Sequence, residues 1–97
     1  MFGNMHEDLL KQMQDAVESG KKNLDHLTVY GEAGGGLVRI ELNGNRKLMS
    51  LQINAELEHI DKEDLEDFLA VALNKALLAA EELHEQEMAR NARLFMP

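Results

Sequence analysis

The chain has 97 residues, the size of one domain, and a chain of this length buries only about two-thirds of its unfolded surface, which is enough for a single core. It carries 18 Asp and Glu against 10 Lys and Arg, a formal net charge of −8, and it contains no cysteine. These counts exclude a two-domain enzyme, a disulfide framework and thiolate chemistry. We expect one domain over residues 1–97. Because the sequence shows no signal peptide and no membrane-spanning stretch, we also expect a cytoplasmic protein without a membrane partner.

The first predicted element is an amphipathic helix from Asn4 to about Asp25. Its apolar residues recur at steps of three and four and share one side of the helix: Met5, Leu9, Met13, Ala16, Val17, Gly20 and Leu24, followed by Leu27. Acidic and basic residues recur on the opposite side at the same spacing. We therefore expect a nearly neutral, solvated ladder of ion pairs there.

Between Leu27 and Asn54 the apolar period changes to two, which predicts three antiparallel strands. The apolar faces of these strands are Leu27, Val29 and Gly31; Val38, Ile40 and Leu42; and Met49, Leu51 and Ile53. Both connections carry turn residues, since Gly34-Gly35-Gly36 can adopt positive φ and Asn43-Gly44-Asn45 favours a hairpin. Three strands with one apolar face need a helix to cover them.

A long second helix is predicted after Asp61, its expected N-cap, and its apolar periodicity continues to at least Met88. Val71 and Leu78, seven residues apart, widen the apolar surface beyond what one small sheet can cover. We therefore predict a homodimer with Val71 and Leu78 in the interface. Residues 90–97 are expected to form a frayed tail. The predicted fold class is α+β, in the order helix, three-stranded antiparallel sheet, long helix.

No pattern of residues indicates catalysis, so we predict a protein that is not an enzyme and has neither a cofactor nor a small-molecule substrate. Gly34-Gly35-Gly36 lacks the Lys-Ser/Thr pair that a phosphate loop requires. Glu81 and His84 have the i, i+3 spacing of carboxylate-bridged metal sites in helical bundles. Such a site also needs inward-facing carboxylates on partner helices, which the first helix does not offer, and we expect no bound metal.

Charge is distributed unevenly along the chain, because residues 1–52 carry seven acids and six bases while residues 53–97 carry eleven and four. The six bases of the first half are the candidate nucleic-acid contacts: Lys11, Lys21, Lys22, Arg39, Arg46 and Lys47. A chain of net charge −8 can bind nucleic acid when its acids are segregated to another face. Composition alone nevertheless favours a protein-interaction or structural module.

Several motifs follow one another along nearly the whole chain. They are Met1-Phe2-Gly3, Leu10-Lys11-Gln12-Met13-Gln14, Gly31-Glu32-Ala33-Gly34-Gly35-Gly36-Leu37-Val38, Asn43-Gly44, Ile53, the run from Asp64 to Ala76, and Phe95-Met96-Pro97. Together they resemble the YbaB/EbfC family of bacterial nucleoid-associated proteins. The resemblance implies a small, tweezer-shaped homodimer that binds DNA without catalysing a reaction, with a nucleoid-organising or regulatory role in the bacterial cytoplasm.

Three of the six candidate bases match helix positions of that family, namely Lys11, Lys21 and Lys22, while Arg39, Arg46 and Lys47 depend on the charge pattern alone. We therefore expect binding to duplex DNA mainly through its phosphates. The alternative from a different class is a dimeric protein–protein interaction module without significant DNA binding.

Overall fold

The structure is a computed structural model that describes residues 2–93, with side chains from residue 7 onward. Its elements are α1 (Phe2–His26), β1 (Thr28–Ala33), β2 (Val38–Asn43), β3 (Leu48–Ile53), a 3-10 helix (Leu57–His59) and α2 (Lys62–Arg93). The strands form one antiparallel sheet in the order β1-β2-β3. The predicted α+β order of helix, three-stranded sheet and long helix is confirmed.

The ends of α2 are clearly defined within the described residues. The helix begins directly after Asp61, the predicted N-cap, whose carbonyl oxygen accepts a hydrogen bond from the backbone N–H of Leu65 at 3.0 Å. At the other end it continues to Arg93, so residues 90–93 of the predicted frayed tail form the last turn of the helix. The rest of the predicted tail, residues 94–97, lies outside the described residues. Neither α1 nor α2 combines the length and the apolar run that a membrane-spanning helix requires.

The backbones of helix and sheet come into close contact where α2 crosses β1. Ala72, Ala76 and Ala80 recur every four residues along α2 and are completely buried. A Cβ added to Gly31 on β1 would clash with the carbonyl oxygen of Ala72 and would lie 2.5 Å from the backbone nitrogen of Ala76. The two backbones therefore touch, because neither carries a side chain larger than a methyl group at this position.

The buried core lies between α2 and the first two strands. It comprises Ala33, Val38, Ile40, Leu42, Ala72 and Ala76. An α-helix is about 10 Å wide and strands lie about 4.8 Å apart, so one helix covers about two strands. The contact at Gly31 fixes α2 over β1 and β2, and the third strand extends beyond its cover.

The apolar face of β3 is consequently exposed, which corrects the prediction that one helix would cover the whole sheet. Leu48 is 55% exposed and Leu51 is 46% exposed. The strand register also differs from simple alternation, because a bulge between Glu41 and Leu42 pairs Leu42 with Leu48. Leu48 therefore lies opposite the core residue Leu42, where the sequence pattern placed Met49.

α1 packs antiparallel against the C-terminal half of α2. The side-chain amide of Asn91 donates to the carbonyl oxygen of Ala16 at 3.3 Å, and that of Asn23 donates to the carboxylate of Glu87 at 3.3 Å. Gly20 lies between these bonds, where a Cβ would be 2.5 Å from the amide nitrogen of Asn91. Nearer the N-terminus, apolar side chains of α1 remain 40–48% exposed: Leu9, Leu10, Met13 and Val17. This two-helix arm makes the molecule 71 Å long and 19 by 17 Å across.

The polar side of α1 differs from the sequence interpretation as well. Among residues 7–93, whose side chains the structure describes, the ion pairs all lie outside α1. The acidic and basic side chains of this helix are exposed to solvent without direct pairing. The expected ladder of ion pairs is therefore not formed, and the lysines of α1 keep their positive charges free of salt bridges to described carboxylates.

Candidate nucleic-acid interface

The hairpin that joins β2 to β3 docks on the C-terminal end of α1. The backbone N–H of Gly44 donates to the carbonyl oxygens of Leu24 and Leu27 at 2.8 and 2.9 Å. The side-chain amide of Asn45 donates to the carbonyl of Lys21 at 2.9 Å and to the carboxylate of Asp25 at 2.6 Å. The last carbonyls of a helix have no partners within the helix, so the hairpin acts as its cap.

The shape of this hairpin is set by one buried side chain, Asn43, which is 3% exposed. Its Oδ1 atom accepts hydrogen bonds from the backbone N–H groups of Asn45 and Lys47, both at 2.9 Å. Arg46 has a φ of 67°, and it takes up the left-handed conformation that the tight turn requires. Gly44 instead provides room, since a Cβ there would lie 2.8 Å from the carbonyl oxygen of Leu24.

This docking brings together bases that are far apart in the sequence. We define the hairpin-tip cluster as four exposed residues from the end of α1 and the β2–β3 connection: Lys21, Lys22, Arg46 and Lys47. Lys11 lies ten residues before Lys21 on the same helix, a separation of about 15 Å. Five of the six predicted bases thus lie on α1 or on the hairpin that caps it.

Arg39, the sixth predicted base, lies on the outer face of the sheet among acidic neighbours. Its guanidinium is 2.7 Å from the carboxylate of Glu32 and 3.2 Å from that of Glu41, and it stacks on the ring of Tyr30 at 3.9 Å from the centroid. The hydrogen bonds that Arg39 donates to Glu32 and, with a smaller effect, to Glu41 raise the pKa of Arg39 above its usual value. Two carboxylates therefore outweigh its charge, and Arg39 offers no unmatched positive charge to a phosphate.

Most acidic residues of the C-terminal half lie far from the hairpin-tip cluster. Residues 56–67 carry seven acids and one lysine, and they occupy the 3-10 helix and the start of α2. The hairpin tip instead lines a hollow with His84, twenty residues beyond Asp64 along α2. That separation is about 30 Å, several times the Debye length of about 8 Å at physiological salt. Those seven acids therefore have little effect on the potential at the hairpin tip, whereas Asp25 and Glu81 lie close to it.

A second surface of the molecule is apolar. Along the junction of β3 and α2 runs an open groove that we call the β3–α2 face, lined by Ile40, Leu42, Arg46, Leu48, Leu51, Leu69, Ala70, Leu73 and Leu77. Within the described residues no element covers this groove, and Leu73 is 39% exposed. The groove exists because one helix is too narrow to cover three strands. The number of helices and strands predicted from the sequence already indicated this.

The two predicted interface residues lie outside the centre of this groove. Leu78 is 56% exposed and lines an adjoining hollow with Arg46 and Glu81. Val71 is 44% exposed and is not among the residues that line either hollow. The β3–α2 face is a continuous apolar surface that the sequence analysis did not identify. Around Glu81 and His84, as elsewhere in residues 7–93, the structure brings no three His, Asp or Glu side chains into a metal-binding group.

The geometry defines a class of small α+β proteins in which a helix, a three-stranded meander and a longer helix leave one apolar face open. The model of a family described as the YbaB/EbfC DNA-binding family matches residues 1–93. The chain belongs to this family.

Relatives of known name and structure support this assignment. A protein of Flavobacterium johnsoniae named nucleoid-associated protein is 40% identical over 91% of this chain and 82% of its own length. A nucleoid-associated protein of Chlorobaculum tepidum is 39% identical over 88% of this chain and 78% of its own. The crystal structure of an uncharacterized protein from Helicobacter pylori matches with a TM-score of 0.77 and 30% identity, over 89% of this chain and 90% of that one.

Proposed function

We propose that this protein binds duplex DNA as a homodimer, mainly through backbone phosphates, and serves a nucleoid-organising or regulatory role in the bacterial cytoplasm. Membership of a DNA-binding family and the names of the relatives support the class of function. The observation that carries the proposal is the hairpin-tip cluster, in which hydrogen bonds of Asn45 to α1 hold bases from two elements together.

Contacts to phosphate fit this cluster better than contacts to base edges. Its members are lysines at a helix end and residues of a short hairpin, and flexible point charges suit phosphate oxygens. The recognition helix that reads the major groove in many DNA-binding proteins has no counterpart here, since α1 carries Asp15 and Glu18 between its lysines. Discrimination between duplex sequences should therefore be small.

The β3–α2 face supports the proposed homodimer. Leu48, Leu51 and Leu73 are each at least 39% exposed on one continuous surface, and a second copy brings the same surface to cover it. Leu78 then lies at the margin of the contact, and Val71 further out. Pairing through this face leaves the two-helix arm of each protomer projecting from a central core, which fits the tweezer shape expected of the family.

Fluorescence anisotropy with a generic duplex at low salt tests this function. The wild type should bind, and the triple variant Lys21→Glu, Lys22→Glu, Lys47→Glu should lose binding while remaining a dimer, because all three side chains are exposed. Lys62→Glu, a charge reversal in the acidic segment, is the matched control and should bind as the wild type does.

Absence of binding by the wild type at tens of micromolar would reject the DNA function. With the dimer intact, that result would favour the alternative, a dimeric protein–protein interaction module. With a slope of about −0.9 per phosphate contact and about three contacts per protomer, log K against log salt should fall with a slope near −5. A slope near zero would show that phosphate contacts do not drive binding.

A further inference from the structure

Two oppositely charged residues line one hollow beside the apolar groove. Arg46 of the hairpin and Glu81 of α2 share this hollow with Asn74, Leu77 and Leu78. Arg46 and Leu77 also line the β3–α2 face, so the hollow and the groove form one continuous surface. A second copy that covers the groove therefore covers the surroundings of this pair.

Within residues 7–93, the ion pairs shorter than 4.0 Å include neither Arg46 nor Glu81. Both residues are exposed in the single chain, where water solvates their charges. Covering the apolar groove removes that water, and a desolvated charge without a partner opposes association. A dimer through this face therefore needs an opposite charge for each of them.

We propose that, in the homodimer, Arg46 of each protomer pairs with the partner's Glu81. In a two-fold symmetric contact, residue i meets residue j of the second copy, and j meets i. Because Arg46 and Glu81 line the same hollow, an axis close to it forms two equivalent ion pairs at once. An arrangement that placed each arginine against the partner's arginine would be repelled, so the pair also selects one register of the two copies.

The position of Arg46 is well suited to this role. Its backbone is held in a turn that Asn43 closes with two hydrogen bonds and that Gly44 joins to α1. The guanidinium group is therefore presented from a fixed loop, which reduces the ordering that pairing requires. This inference rests on the proposed homodimer, and it moves Arg46 from the DNA surface to the subunit interface, leaving Lys21, Lys22 and Lys47 as the DNA contacts of the cluster.

Charge-reversal variants of Arg46 and Glu81, measured alone and as a mixture, test the ion pair between subunits. Sedimentation equilibrium of the full chain should show that Arg46→Glu and Glu81→Arg each raise the dimer dissociation constant at least about tenfold. A one-to-one mixture of the two variants should form a heterodimer, because both intersubunit pairs then join unlike charges. Glu82→Arg is the matched control on the neighbouring residue of α2; alone it should dimerise normally, and mixed with Arg46→Glu it should give no rescue.

The double variant Arg46→Glu, Glu81→Arg distinguishes a pair between subunits from a pair within one subunit. If the double variant dimerises but the mixture of single variants does not, the pair lies within one protomer and the inference is overturned. Single variants that dimerise as tightly as the wild type would overturn it too, while a dimeric, DNA-binding wild type would leave the proposed function standing. A monomeric wild type would overturn the homodimer itself. Arg46→Gln, which removes the charge without reversing it, should give a smaller loss, and far-ultraviolet circular dichroism checks that each variant is folded.

Discussion

Gly31 on the first strand and Ala72 on the second helix meet backbone to backbone, leaving no space for a Cβ atom on the glycine. This contact fixes the lateral position of α2 on the sheet. Because the helix is held over β1 and β2, the leucines of β3 stay exposed. The β3–α2 face, from which we infer dimerisation, is thus open because of one glycine in β1, at the opposite edge of the sheet from β3.

The first prediction concerns this glycine. Gly31→Ala should lower the free energy of unfolding by about 3 kcal/mol, because the added methyl group forces the helix away from the sheet. Gly35→Ala is the matched control. It has open space around the position but a φ of 68°, so its cost should be the conformational one alone, about 1–2 kcal/mol. Urea unfolding of the two variants at equal protein concentration measures both losses of stability. Equal losses would contradict the close contact between Gly31 and α2.

The second prediction concerns the side chain that closes the hairpin. Asn43→Ala should lower the free energy of unfolding by about 2 kcal/mol, because the backbone N–H groups of Asn45 and Lys47 lose their hydrogen bonds to this buried side chain. Asn43→Asp keeps an oxygen in place and should cost less. If the two variants unfold at the same urea concentration, the bonds to Asn45 and Lys47 do not support the turn.

The third prediction compares Arg39, which is paired with two carboxylates, with Lys47, which forms no ion pair with a described carboxylate. Lys47→Gln should make the salt dependence of DNA binding shallower by about 0.9 per protomer, or about 2 for the dimer. Arg39→Gln should leave the slope unchanged, because Glu32 and Glu41 already neutralise that guanidinium. Anisotropy titrations at several salt concentrations give both slopes. A change on Arg39→Gln as large as that on Lys47→Gln would show that the outer face of the sheet also contacts phosphates.

The fourth prediction tests the proposed subunit interface. Leu51→Asp should weaken the dimer by about a hundredfold, equivalent to about 3 kcal/mol, because a carboxylate would be buried in the β3–α2 face. Leu57→Asp is the control, since Leu57 is 65% exposed and lies in the 3-10 helix outside that face. Light scattering over a dilution series measures the dissociation. A Leu51→Asp protein that remains fully dimeric would place the interface elsewhere.

Local signals in the sequence predicted much of the fold. Period-two alternation identified the buried faces of β1 and β2, and the three glycines at 34–36 do adopt positive φ, at 67°, 68° and 91°. These features depend on neighbours along the chain or on one turn. The bulge in the pairing of β2 with β3 depends on contacts between elements, and the sequence interpretation missed it.

The candidate site was predictable as a set of residues but not as an arrangement. Composition indicated six bases. Arg39 differs from the others because Glu32 lies opposite it on β1 and Glu41 lies two residues further along β2. The meeting of Lys21 with the hairpin requires the docking of Gly44 on α1, which no local pattern encodes. The exposed leucines of β3 were visible in the sequence, but their exposure depends on the width of one helix relative to three strands.

The hydrogen bonds of Gly44 to Leu24 and Leu27 connect the proposed DNA-binding surface to the proposed dimer surface. Gly44, at the start of the hairpin, binds the C-terminal end of α1. The other end of the hairpin leads into β3, which borders the β3–α2 face. A ligand that fixes the orientation of α1 therefore also restrains the strand that a second copy contacts. Since coupling free energies are reciprocal, DNA should tighten the dimer by the same factor by which dimerisation tightens DNA binding. Assembly on DNA would then be cooperative, with a steeper dependence on protein concentration than independent binding of preformed dimers gives.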